Sequence, residues 1–160
     1  MNDHTRSVNV PDWVRLALVA LGLPNLLTGA WAVLSPQGWY DNFPGWDPRL
    51  VAAEPPYNAH LATDAGAGLL AAGVILVAAA AWFADHRSVR LALIAFGTFA
   101  IPHGAWHAFN PSDDLTAAQD LQNAGLLVFT AAATVALYVV VARGERDRSV
   151  GAAPRQEVLS

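Results

Sequence analysis

Four apolar runs, at 13–34, 59–83, 89–109 and 119–141, set the terms for what this chain can become. Each approaches the ~20 residues that a helix rising ~1.5 Å per residue needs to cross a hydrocarbon layer of ~30 Å. The runs are rich in Ala and Leu, show no period-two alternation, and exceed the ~10 residues of a barrel strand, so helices are expected. With 54% hydrophobic and 14% charged residues in a chain of 160, there is more apolar surface than one soluble domain of this size buries. The sequence therefore predicts an all-α, integral membrane, antiparallel four-helix bundle. A polar segment at 1–12 precedes a transmembrane domain at 13–142, and a polar, solvated tail at 143–160 follows it.

The net charge of -4 says less than where the charges lie. Arg6 and Arg15 flank the start of the first run, Arg87 and Arg90 mark the second connection, and Arg143, Arg146, Arg148 and Arg155 follow the last run. Only Arg49 lies in the other two connections. Cytoplasmic loops carry the excess of Arg, which places both termini and the 84–90 turn in the cytoplasm. A second reading takes Arg6, Arg15 and the apolar stretch up to Ala30, Trp31 and Ala32 as a cleaved signal peptide, but the run continues through Val33 and Leu34 like a retained span. No basic aromatic stripe points to nucleic acid. The absence of Cys excludes thiolate metal sites and disulfide relays.

The first outer loop, 35–58, holds Trp39, Tyr40 and Trp46 with five prolines and two glycines up to Pro56. It is expected to be an irregular cap on the outer mouth, with its aromatic rings at the interface. The short turn at 84–90 makes runs two and three a hairpin. Thr116 followed by Gln119 has the spacing of a capping box, and Asp113, Asp114 and Asp120 suit a helix N-terminus.

Polar residues cluster at one depth. Asp64, His103, Thr28 and Asn123 each fall roughly 8–11 Å below the outer helix ends at 1.5 Å per residue, and the inner halves of the runs are nearly free of polar side chains. Polar groups are costly in lipid and normally face the bundle interior. Residues four apart share a helix face, so His60 with Asp64, and His103 with His107, are expected to converge on one pocket. Three imidazoles and a carboxylate suit Zn, Cu, Fe or Mn. Asn25, Thr28, Asn58, Thr63, Asn123 and Asp120 would support them, with Asp64 and Asp120 as candidate catalytic groups and Asp120 as proton carrier. Simpler roles exist for several: His107 as an interfacial residue beside Trp106, Asn58 as a helix N-cap, and Asp64 paired to His103 only to fix helix register. Pro24 and Pro102 lie beside the expected pocket and each frees a carbonyl one turn earlier.

The stretches WYDNFP at 39–44 and PYNAHLATDAGA at 56–67 resemble a pattern, YDxFP followed by PYNxHLxxDxGA, of small four-span bacterial membrane proteins with no assigned reaction. The resemblance covers about a quarter of the chain, and departs from the pattern at Ala59 and Thr63, where charged residues are common. It implies a bacterial plasma membrane location. A looser similarity to DoxX-like four-helix membrane proteins rests on architecture alone, which carries no function.

Three functional expectations follow. The leading one is a metal-dependent membrane protein, an oxidoreductase acting on a lipophilic substrate from the outer leaflet. The alternatives are a haem- or ligand-binding accessory subunit and a small transport component. Partners are the lipid bilayer, a lipophilic small molecule, and a second copy or a partner membrane subunit.

Overall fold

The computed structural model describes residues 9–151, whose regular structure is helical apart from one isolated bridge. The elements are α1 (Asp12–Leu34), α2 (Pro36–Asn42), α3 (Ala59–Ala81), α4 (His86–Phe109) and α5 (Ala117–Gly151). Four of them, α1, α3, α4 and α5 up to Arg146, are long and apolar enough to cross a membrane, the architecture of a multi-pass membrane protein. Of the polar ends expected at 1–12 and 143–160, residues 1–8 and 152–160, with Arg6 and Arg155, lie outside the described residues.

Two elements depart from expectation. The loop after the first span contains a regular helix, α2, despite its prolines, because Pro36 falls in the first turn, where a missing N–H costs nothing. And α5, at 35 residues, continues well past the expected end at 141. At 1.5 Å per residue it is ~52 Å long, so it outruns a ~30 Å apolar layer and carries Glu145 to the level of Arg87 and Arg90.

Helices α1 and α3 pack through small residues. Gly22 abuts Leu76 and Gly73, and Gly29 abuts Leu70 and Gly66, so residue numbers rise along one helix as they fall along the other. The same holds for α4 and α5, where Arg90 meets Glu145, Gly97 lies near Thr134 and Gly104 near Leu127. The two pairs share one core at the arginine-bearing end, formed by Val14 and Leu18 of α1, Leu76 of α3, Leu93 and Phe96 of α4 and Val141 of α5. Arg15 at the start of α1 donates to the Ala80 carbonyl at 2.8 Å, satisfying one of the last acceptors of α3. Val10 N–H donates to Ala84 O at 2.7 Å, tying the start of the described chain to the α3–α4 turn.

At the opposite end α2 folds back on α1 and α3. Trp39, Ala32 and Ala62 are buried there beside Trp31, Phe43, Val51 and Tyr57. The connection between α4 and α5 docks on the one between α2 and α3: Ser112 Oγ donates to Ala53 O at 2.6 Å. Thr116 and Gln119 form the reciprocal bonds of a capping box, Thr116 N–H to Gln119 Oε1 at 2.9 Å and Gln119 N–H to Thr116 Oγ1 at 3.4 Å.

Asp85 caps α4, its carboxylate accepting from the N–H groups of Arg87 and Ser88, both at 3.0 Å. Hydrogen bonding by Ser88, side chain and then backbone, holds the Asp85 carboxyl below the usual carboxylate range, against an opposing effect of burial. A carboxyl depressed in the folded state stabilises fully above its unfolded pKa of about 3.9 and loses that contribution as pH falls through the folded value. Asp85→Ala is therefore expected to lower stability by ~1 kcal/mol near pH 7, with the difference from wild type shrinking below about pH 4. Unfolding curves of both proteins in detergent across that range check it.

Candidate functional site

The four expected metal ligands form two separate pairs. His60 and Asp64 lie on α3, with His60 Nε2 3.4 Å from Asp64 Oδ2. Their side chains are 83% and 62% exposed, and the carboxylate expected to meet His103 is paired with a residue of its own helix. The cause is the phase of α3. Ala62, Gly66, Gly73 and Leu76 are buried, with the two glycines against α1, and a period of ~3.6 residues places 60 and 64 half a turn away, on the opposite side.

On α4, His103 and His107 belong to an aromatic ladder. His103 stacks on Phe99 with centroids 5.0 Å apart and planes 21° from parallel. His107 meets His103 edge-on, also at 5.0 Å. Both imidazoles are half-buried. Among the described residues no hydrogen bond, ion pair or ring contact joins this ladder to His60 or Asp64, and no group of three or more His, Asp or Glu side chains is placed to hold one ion. The single hollow expected from helix depth is thus not formed within one chain: depth matches, but rotation about the α3 axis does not.

The expected supporting residues are mostly occupied locally. Asn25 donates to Leu21 O of its own helix at 2.8 Å. Asn58 is the N-cap of α3, accepting from Leu61 N–H at 3.1 Å, and Thr63 donates to Ala59 O at 2.9 Å. The Asp120 carboxylate accepts from Ser112 N–H at 3.2 Å and so holds the α4–α5 connection against α5. Thr28 and Asn123 are half-buried, and neither is bonded to a histidine.

Two features escape a reading by depth alone. At the arginine-bearing end, Arg90 donates to Glu145 and, at 3.4 Å, to Tyr138 Oη, with its guanidinium 5.5 Å above the Tyr138 ring. Arg87 reaches the same Glu145 at 3.5 Å. These partners lie 48 and 55 residues from Arg90, so no local pattern announces them.

The second is a groove of about 390 Å³ between α4 and α5, walled by Leu93, Ile94, Ile101 and Val135, with Gly97, Thr98, Pro102, Thr134 and Tyr138. Gly97, which has no side chain, leaves it open opposite Thr134, and Pro102 has no N–H to give the Thr98 carbonyl one turn earlier. The walls are almost wholly apolar, and their positions fall in the middle of α4. Pro102 was the available sequence signal, since a proline inside an apolar helix frees a carbonyl one turn earlier and interrupts regular helix packing.

Fold and site together define a multi-span helical membrane protein with an apolar groove between two of its spans. Comparison with models of known protein families, with curated proteins and with solved structures finds no match.

Proposed function

We propose that the chain is a plasma-membrane antiparallel bundle with both ends in the cytoplasm, and that it binds a lipophilic molecule, a single acyl or isoprenoid chain, in the α4–α5 groove. The gathering of Arg15, Arg87 and Arg90 at one end, with Arg143 and Arg146 at the end of the α5 span, supports that orientation. The groove carries the binding reading. Its volume of about 390 Å³ lies in the range of small-molecule sites, roughly 300–1,000 Å³. Its apolar walls select a hydrocarbon chain, and the Thr98 carbonyl offers one acceptor to a hydroxyl or amide on the ligand.

The test is labelling of the purified protein in nanodiscs by a fatty acid bearing a photoactivatable diazirine, with the modified peptides mapped. Labels are expected on α4 and α5 around Ile94, Ile101 and Val135. Gly97→Leu places its side chain into the groove, and its Cβ meets only ordinary contacts at 3.8 Å, with no backbone in the way. The variant is expected to label at least tenfold less, an effect of the order of 1.4 kcal/mol or more, with its melting temperature measured alongside to show that it is folded. Labelling spread evenly over all four spans, or unaffected by Gly97→Leu, would overturn the reading.

A further inference from the structure

The α4–α5 groove ends at an arginine. Arg90 falls on the same stripe of α4 as Ile94, Gly97 and Ile101, which line the groove. Its guanidinium lies 5.5 Å above the ring of Tyr138, which lines the groove from α5. The apolar walls therefore run away from a fixed positive charge. Ile101 stands ~16 Å beyond Arg90 at ~1.5 Å per residue, about half of a ~30 Å hydrocarbon layer. A single chain whose head lies at the arginine-bearing surface reaches the far end of the groove without leaving its own leaflet.

Charge at that end is unbalanced. Arg90 and Arg87 share one carboxylate, Glu145, so within this cluster two positive charges stand against one negative. Asp85 and Asp12, at the same end, are engaged by the first N–H groups of α4 and by Arg15. Arg90 Nε is buried and finds no acceptor among the described residues, which is costly for an N–H of a charged group. A carboxylate brings one negative charge and two acceptor oxygens in a plane, the match for one excess positive charge on a guanidinium. A phosphate monoester, at about −1.5 to −2, exceeds that charge. A two-chain phospholipid exceeds a groove of about 390 Å³. We infer that the groove selects a long-chain fatty acid, its carboxylate held at Arg90 and its chain lying between α4 and α5, an inference that rests on the groove being the lipid-chain site proposed above.

Two probes with one chain and one mid-chain diazirine are compared in nanodiscs below saturation: a free fatty acid and its methyl ester, which keeps the carbonyl but carries no charge. Label at Ile94 and Val135 is divided by label at the exposed Leu16, Leu23 and Leu27 of α1, which corrects for the amount of each probe in the bilayer. This ratio is expected to be about tenfold higher for the acid than for the ester, the effect of a hydrogen bond to a charged group. Arg90→Gln is expected to bring the acid down to the level of the ester and to leave the ester unchanged. Arg87→Gln, whose wild-type side chain is 90% exposed, is expected to lower the acid preference about threefold. Equal ratios for the two probes in the wild-type groove overturn the fatty-acid inference and leave the groove a lipid-chain site. So does an acid preference that survives Arg90→Gln, or that survives Arg87→Gln where Arg90→Gln fails to fold. Label from neither probe at Ile94 or Val135 overturns the groove itself.

Discussion

Gly29→Leu is expected to unfasten α1 from α3 and to lower stability by ~3 kcal/mol or more. A Cβ at Gly29 would overlap the backbone of α3, meeting Leu70 N and approaching Gly66 O and Leu70 Cα at 2.7 Å. Backbone cannot turn aside as a side-chain tip can, so the helices must part. In lipid that separation is serious, because no water drives apolar helix faces together and close packing supplies most of the attraction. The matched control is Gly125→Leu on α5, where an added Cβ meets nothing within 4 Å. Unfolding in mixed micelles should show a large loss for Gly29→Leu and almost none for Gly125→Leu. Equal behaviour of the two would mean that the α1–α3 contact is not what holds these spans together.

The same contact explains what the sequence could and could not reveal. The four spans are legible because each is a long apolar run, and the N-cap Asn58 and capping box Thr116/Gln119 are legible because capping depends on neighbours three residues away. Depth is legible too, since it follows from counting residues along a helix. Rotation is not, because it depends on which stripe of α3 meets α1. Small residues run all the way from 65 to 68 and from 71 to 73, yet of these only Gly66 and Gly73 are buried, in phase with Ala62 and Leu76, and that phase turns His60 and Asp64 outward. Helix α2 was hidden for a different reason. A proline reads as a breaker unless its place in the helix is known, and Pro36 stands in the first turn. The Arg90–Glu145–Tyr138 cluster joins residues that only the meeting of α4 and α5 brings together.

Phe96→Ala addresses the other junction, where all four long helices share a core. Phe96 is 2% exposed, its ring 6.3 Å from that of Phe99, among Leu18, Leu76, Leu93 and Val141. In a soluble core such a truncation costs roughly 3–5 kcal/mol, from lost transfer energy and from the cavity. Here the transfer part is largely missing, since a separated α4 still keeps its phenyl ring in hydrocarbon. What remains is the loss of packing contacts around the void. The expected cost is therefore ~2 kcal/mol, against nearly none for Phe129→Ala, whose side chain is exposed on α5. Unfolding in mixed micelles gives both values. A cost at the full soluble level would mean that this end of the bundle is wetted when the helices separate. No cost at all would mean that the two helix pairs do not share a core.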